Sequence, residues 1–324
     1  MHLPSVVLGL LGLALAGSAS PIEERSSRTS APSGCLTVGS SGKYSTISAA
    51  LSALGSSTSD ACIYIASGTY NEQITIRYAG KLTMYGETTD TSSYKKNGVT
   101  ITHTISSPEA GTLDKSATVN VVSAGFKMYN INVVNGYGKG AQAVALVANA
   151  DKLSFYGCSF VGYQDTLYAK AGLQYYSNCY IEGAVDYIFG DASAWFGECD
   201  IVSVGSGAIT AMSRTSSSET TWYAIDHCNI YGKTGLDLAS EVYLGRPWRV
   251  LARVIYQNSE LSNIINAKGW TTMAAGATPL YYEYNNTGAG SDTSKREYET
   301  SITAAVTKNT VLGSGWNTWI DTTY

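Results

Sequence analysis

An imperfect repeat between residues 130 and 263 is the feature that most constrains the fold. Each copy has the same order of four residue types: small or apolar, polar, large apolar and polar. Gly or Asn usually follows. Units of roughly 20 to 45 residues that stack on their neighbours are typical of solenoids such as the parallel β-helix. The equivalent positions are separated by 27, 21, 20, 29 and 31 residues: Ile131, Cys158, Cys179, Cys199, Cys228 and Ser259.

The predicted fold class is therefore all-β, a single parallel β-helix with apolar inward ladders and insertions in its loops. The alternative, an antiparallel sandwich, would show turn signals every 8 to 12 residues or so, without such a long register. Before the repeat, apolar spacing over 44–54 predicts a short capping helix that stops at Gly55. Residues 68–70 read as a turn, and 74–76 and 82–86 as short strands.

The repeat also places the cysteines. Four of the six occupy one inward position on successive coils, where small buried thiols are expected, although stacked cysteines could instead pair. If a disulfide forms, Cys35 with Cys62 is the preferred pair, because both belong to the first coil. No closely spaced cysteine pairs occur and there are only three histidines, so no metal site is predicted.

The N-terminal region predicts secretion. An apolar run over 6–16 followed by small residues is typical of a signal peptide, assigned to 1–19. Residues 20–34, rich in Ser, Glu and Arg, are expected to be a disordered or processed leader, and 35–324 the catalytic domain. Secretion permits disulfides. The sequence Asn285-Asn286-Thr287 predicts a glycosylation acceptor.

The charge and hydropathy of the chain argue against nucleic acid and membrane as partners. The net charge is −4, the pI is about 5.4, and no long Lys/Arg run is present to neutralise phosphates, so nucleic acid is not a predicted partner. No stretch reaches the roughly 18 to 20 apolar residues of a membrane span. Mild overall acidity still allows an anionic polymer as substrate, because the local field in a cleft matters more than the sum.

Two aspartates stand at matched positions. Asp165 and Asp186 each lie seven residues after their cysteine, Cys158 and Cys179. If the two cysteine segments are neighbouring strands in register, the carboxylates are neighbours as well, with strands about 4.8 Å apart. Like charges at that separation raise one pKa, which allows one group to act as an acid and the other as a nucleophile or base.

Other side chains complete a candidate site. The scarcity of histidine and the absence of a Gly-x-Ser-x-Gly motif leave carboxylates as the best catalytic candidates. Gln142 and Gln164 offer amide donors, and Arg246 offers a cation that would keep a carboxylate ionised. Trp248 offers a flat face for a sugar ring. Three more aromatic residues flank the aspartates in sequence: Tyr168, Tyr187 and Phe189.

Five motifs in order resemble the pectin methylesterase family. They are GTYNE at 68–72, QAVAL at 142–146, GYQDTL at 162–167, GAVDYIFG at 183–190 and LGRPW at 244–248. Residues 269–270 (GW) and 281–288 (YYEYNNTG) look like its C-terminal block, and the chain is most similar to the secreted fungal branch. The resemblance implies a right-handed parallel β-helix.

The resemblance also implies residue roles. Asp186 would be the nucleophile, Asp165 the general acid and then base, and Arg246 would hold Asp186 ionised. Gln142 and Gln164 would bind the oxyanion. The sugar subsites would be lined by Trp248, Trp270, Tyr168 and Phe189. Tyr187, a departure from the Phe of many plant members, would alter subsite polarity.

The expected function is hydrolysis of methyl esters of homogalacturonan by a secreted, monomeric pectinesterase that needs no cofactor. Two alternatives remain at this stage. Paired aspartates on a β-helix could hydrolyse a glycosidic bond. A non-catalytic, polysaccharide-binding β-helix would use the aromatic residues alone.

Overall fold

Three parallel sheets run along the chain in the computed structural model, which describes residues 26–324. The strands are, in order, β1 (Leu36–Val38), β2 (Ala61–Ile65), β3 (Gly68–Asn71), β4 (Ile74–Ile76), β5 (Leu82–Gly86), β6 (Val99–His103), β7 (Val119–Val121), β8 (Lys127–Tyr129), β9 (Ile131–Asn135), β10 (Leu146–Asn149), β11 (Leu153–Tyr156), β12 (Ser159–Val161), β13 (Leu167–Ala171), β14 (Leu173–Ser177), β15 (Tyr180–Gly183), β16 (Ile188–Gly190), β17 (Ser193–Gly197), β18 (Asp200–Ser203), β19 (Gly207–Met212), β20 (Tyr223–Asp226), β21 (Asn229–Gly232), β22 (Val242–Gly245), β23 (Arg253–Gln257), β24 (Glu260–Leu261) and β25 (Leu280–Tyr284).

The helices are short. They are α1 (Ile47–Ala53), α2 (Ser107–Ala110), α3 (Leu113–Ser116) and α4 (Lys308–Leu312), with 3-10 turns at Tyr94–Lys96 and Trp316–Thr318. Within residues 26–324, no helix has the length and apolar character needed to cross a membrane.

The sheets have ten, seven and eight strands. The ten-stranded sheet has the order β1-β2-β5-β8-β11-β14-β17-β20-β23-β25, the seven-stranded sheet β22-β19-β16-β13-β10-β7-β4, and the eight-stranded sheet β24-β21-β18-β15-β12-β9-β6-β3. Successive coils thus contribute one strand to each sheet in turn. This is the predicted parallel β-helix.

The strand register confirms the sequence repeat. In the eight-stranded sheet, β9, β12, β15, β18, β21 and β24 pair so that the six equivalent positions lie in one row. The residue just before each position has a left-handed φ of 51° to 55°: Asn130, Gly157, Asn178, Glu198, His227 and Asn258. One residue in this conformation turns the chain from the ten-stranded into the eight-stranded sheet, and Asn and Gly tolerate it best.

The cysteines behave as predicted. Cys158, Cys179, Cys199 and Cys228 are buried free thiols stacked in the core, and Cys35 and Cys62 form a disulfide. Burial raises the pKa of the last three stacked thiols well above the ordinary value. They remain protonated and serve as small apolar core residues.

The capping helix is also confirmed, at Ile47–Ala53. The Thr46 hydroxyl accepts a hydrogen bond from the Ala49 amide, and the Glu72 carboxylate accepts two more from the first-turn amides. The turn predicted over 68–70 is wrong, since these residues belong to β3. Their exposed, Gly-containing sequence resembles a turn, but distant pairing with β6 fixes an extended conformation.

The expected leader lies partly within the described residues. Residues 1–19, assigned to a signal peptide, lie outside the described part, as does the first portion of the expected leader. Residues 26–34, the rest of that segment, contact the domain chiefly through Arg28. Arg28 exchanges two backbone hydrogen bonds with Thr88, and its guanidinium donates to the Gly86 carbonyl and lies 4.8 Å from the Tyr85 ring centroid.

Candidate active site

The two aspartates lie side by side on adjacent coils, as the seven-residue offset predicts. Gln164 bridges to Val185 in parallel, and the Asp165 amide donates to the Val185 carbonyl at 3.0 Å. Both aspartates have left-handed backbones, with φ of 64° and 49°. Such conformations cost roughly 1 to 3 kcal/mol in non-glycine residues and cluster at functional sites. Here they aim both carboxyl groups outward between strands.

Arg246 holds Asp186 in a fixed orientation. Its Nε donates to one carboxylate oxygen and its Nη2 to the other, both at 2.7 Å. The arginine directly follows β22, two strands away from β16 in the seven-stranded sheet. A bidentate pair of this kind combines charge with geometric specificity and stabilises the carboxylate form.

Asp165 has a different electrostatic environment. Its side chain is almost fully buried, and burial, together with the charge of Asp186, raises the pKa of Asp165 to about 8, while Arg246 acts in the opposite direction. At neutral pH the site therefore holds a protonated Asp165 beside the Asp186 side chain that Arg246 contacts. Two acids with separated protonation states are the usual arrangement for acid and nucleophile roles.

A cavity of about 220 Å³ opens over this pair. The catalytic candidates Gln142, Gln164, Asp165, Asp186 and Arg246 all line it. Its remaining lining comes from five apolar or aromatic residues: Leu113, Phe189, Ala211, Trp248 and Met273. Sequence reasoning missed Leu113, Ala211 and Met273, because a small or apolar side chain outside any motif carries no signal of a binding role.

Aromatic rings form one wall of the site. The Tyr168 and Phe189 rings stack with centroids 4.3 Å apart on neighbouring strands. Trp248 lies at a steep angle to both, 5.9 Å from Phe189 and 6.3 Å from Tyr168. These three predicted contact residues are therefore brought together beside the acids.

Two other predicted contact residues are not at the cavity. Trp270 is fully buried, stacks on Tyr281 at 4.0 Å, and donates its indole N–H to Glu283. Tyr187 is also fully buried, with its hydroxyl hydrogen-bonded to Ser203. Their placement in the core contradicts the expected contact with substrate. Alternation could not place Tyr187, because it lies before β16 and both it and the following Ile188 are in the core.

Within residues 26–324, no three His, Cys, Asp or Glu side chains are grouped in a way that could hold a metal ion. The chemistry available at the cavity is that of carboxyl groups, amides and a guanidinium. Fold and site together define a parallel β-helix protein with two neighbouring carboxyl groups at a cavity on its side.

Comparison with known proteins identifies the family. A pectinesterase family model matches residues 35–322, and the chain belongs to this family of carboxylic ester hydrolases. Probable pectinesterase A of Neosartorya fischeri is 84% identical over 324 residues, all of both chains. Pectinesterase A of Emericella nidulans is 72% identical over 319 residues, 98% of each chain.

Solved structures of pectin methylesterases also match this chain. The pectin methylesterase from Aspergillus niger, in deglycosylated form, is 79% identical with a TM-score of 0.92, and the match covers 92% of this chain and all of that one. The pectin methylesterase from carrot is 31% identical with a TM-score of 0.80, covering 89% of this chain and 96% of that one.

Proposed function

We propose that the chain removes methyl groups from methyl-esterified homogalacturonan, with Asp186 as nucleophile and Asp165 as general acid and base. The observation that carries the proposal is the difference between the two carboxyls: Arg246 pairs with one, while burial keeps the other protonated. Family membership supports ester hydrolysis, and the aromatic wall suits a sugar polymer.

The first half-reaction transfers the acyl group to the enzyme. A carboxylate oxygen of Asp186 attacks the C6 carbonyl carbon, and the electron pair of the C=O bond moves to oxygen. The amides of Gln142 and Gln164, which line the cavity, donate to this oxyanion. One such donor is often worth about 10²-fold or more in rate. When the tetrahedral species collapses, the C–O bond to the methoxy group breaks and Asp165 protonates the leaving oxygen, giving methanol.

The second half-reaction restores the enzyme. Asp165, now a carboxylate, takes a proton from water while the water oxygen attacks the acyl carbon. The bond to Asp186 breaks, and Arg246 stabilises the carboxylate that departs. The products are an acid group on the polymer and a protonated Asp165, ready for another cycle.

The predicted signal peptide supports action outside the cell, and the sequon at Asn285 supports glycosylation there. The Asn285 side chain is exposed, and its amide donates to Asn258. We also propose that the enzyme acts as a monomer.

The test is product analysis on highly methylated pectin. Wild-type protein is expected to release methanol without creating new reducing ends or unsaturated chain ends. Asp186→Ala is expected to abolish methanol release while the circular dichroism spectrum stays native, and Asp237→Ala, at an exposed loop aspartate, serves as the control. New chain ends without methanol would instead establish glycosidic or lyase chemistry, and methanol release by Asp186→Ala would refute the nucleophile assignment.

A further inference from the structure

A second groove lies on the outer face of the ten-stranded sheet, where β5, β8 and β11 are neighbours. The cavity there has a volume of about 450 Å³. We call it the basic groove and define it by Lys81, Lys127, Lys152, Tyr85 and Trp319, all of which line it. The catalytic cavity is built mainly on strands of the seven-stranded sheet, so the two lie on different faces of the β-helix.

The three lysines follow the strand register. Thr83 pairs with Lys127, and Lys127 with Ser154, so Lys81 and Lys152 are level with each other on either side of Gly125. Two strand spacings place their backbones about 10 Å apart along the axis of the β-helix. Gly125 has no side chain to fill the gap, and the aliphatic part of Lys81 lies over it. The positive charges therefore extend over three successive coils.

The groove has an excess of positive charge. Among the described residues, no carboxylate lies within ion-pair distance of any of the three ammonium groups. Asp60 is the single acid among the lining residues, and Asp321 lies close enough to interact electrostatically with Lys127, which leaves a local charge of +1 (three minus two) on a chain whose total is −4. Asp321, at the edge, accepts a hydrogen bond from the Tyr129 hydroxyl.

Aromatic and hydroxyl groups accompany the charges. The rings of Tyr85 and Tyr129 stack with centroids 5.2 Å apart, and Trp319 of the C-terminal segment forms part of the opposite wall. Hydroxyl groups are supplied by Thr83 and Thr318. Rings with a few placed polar groups are typical of small-molecule and sugar sites. A ligand suited to this groove has sugar rings and repeated negative charges along one direction.

We propose that the basic groove binds de-esterified, carboxylate-bearing segments of galacturonan and so anchors the polymer on a face separate from the catalytic cavity. The inference rests on the proposed function, because demethylation creates these carboxylates. The lysines select the anionic product rather than the neutral methyl ester, and half-buried Tyr85 and exposed Thr318 contact the sugars. The Tyr129 and Trp319 rings are buried and lie behind them.

The experiment measures binding of fully de-esterified polygalacturonate, which cannot react, by titration calorimetry at low ionic strength. The test variant is Lys81→Gln/Lys127→Gln/Lys152→Gln. The matched control is Lys43→Gln/Lys95→Gln/Lys96→Gln, which removes the same charge from exposed lysines elsewhere. We expect affinity to fall at least about fivefold in the test variant and to change less than about twofold in the control. Added salt should diminish the difference.

Two further measurements test whether the groove recognises carbohydrate and whether it acts separately from the catalytic cavity. Polyglutamate, a polyanion without sugars, is expected to bind the wild type more weakly than polygalacturonate, and equal binding would overturn a carbohydrate site. Methanol release from short methyl-esterified oligomers, which engage only the catalytic cavity, is expected to be the same in wild type and test variant.

The possible failures are distinguishable. If the test variant binds polygalacturonate as well as the control does, the proposal is overturned. If the wild type binds through the lysines but releases no methanol, the groove is supported and the proposed function is refuted. Should the triple variant fail to fold, Lys81→Gln and Lys152→Gln, both at exposed side chains, are measured singly against Lys43→Gln, and each is expected to bind polygalacturonate more weakly than this control.

Discussion

At the scale of single residues, the site depends on how differently two aspartates are surrounded. Asp165 and Asp186 have the same offset from the repeat and similar left-handed backbones. Only Asp186 has a guanidinium on both oxygens, while burial makes ionisation of Asp165 costly. In the proposed mechanism, protonated Asp165 is the form that releases methanol, so methanol release should decline as pH rises through about 8.

Asp165→Asn is predicted to abolish activity and yet stabilise the fold near neutral pH. The pKa of Asp165 is raised from 3.8 to about 8, so its favourable contribution to stability is complete below about pH 4 and is lost as pH rises toward 8. Asn mimics the protonated acid at every pH. The free energy of unfolding of the variant should therefore exceed that of wild type by at least about 1 kcal/mol at pH 8, with little difference at pH 4. Urea unfolding at both pH values measures this, and a difference that does not change with pH would contradict it.

At the scale of elements, the C-terminal segment covers the outer face of the ten-stranded sheet. Helix α4 contributes Val311 and Leu312 to a cluster with Trp195 and other rings of that face. Lys308 lies within 5.7 Å of three ring centroids: Tyr175, Trp195 and Trp316. This cation fixes a short helix that local propensity alone would not stabilise.

Lys308→Gln is predicted to loosen this segment. Loss of the cation–π contacts should lower the free energy of unfolding by about 1 to 2 kcal/mol and speed proteolysis near the C-terminus. Lys295→Gln, at an exposed lysine, is the control and should leave both unchanged. Limited proteolysis with a protease that does not cleave after lysine, followed by mass spectrometry, measures the loosening of the segment. Urea unfolding measures the free energy. If the two variants have the same free energy of unfolding and the same proteolysis rate, the cation–π contacts of Lys308 do not stabilise the segment.

At the scale of the whole molecule, stability depends on stacking each coil upon the next, and the end coils have one neighbour fewer. The Cys35–Cys62 disulfide ties β1 to β2 at such an end, closing a separation of 27 residues. The acids lie several coils further along, on the loops before β13 and β16.

Cys35→Ser/Cys62→Ser is predicted to lower the free energy of unfolding by about 2 to 4 kcal/mol, because the unfolded chain loses a constraint. Methanol release at 25 °C should stay close to wild type, since the catalytic coils keep their neighbours. Thermal unfolding and activity measured on one preparation test both statements. A loss of activity while the protein remains folded would show that the first coil is coupled to the site.

The sequence by itself determined the coil register and, through it, the pairing of Asp165 with Asp186. The repeat fixes which residues lie side by side on successive coils. Residues that follow equivalent repeat positions by the same number of residues, such as the two aspartates, are then neighbours. Nearness in sequence to the aspartates, together with the family resemblance, indicated Tyr168 and Phe189, and their rings stack beside the acids. The same local information indicated the capping helix and the disulfide.

Only the tertiary structure decided which residues of the irregular segments are buried, and how far the pKa of Asp165 is raised. Trp270 lies in the core because distant β25 supplies its partner Tyr281, and residues 26–34 contact the domain because Thr88 pairs with Arg28. The pKa of Asp165 depends on burial by side chains from several coils. Burial and electrostatic fields are sums over residues far apart in sequence, so no local pattern contains them.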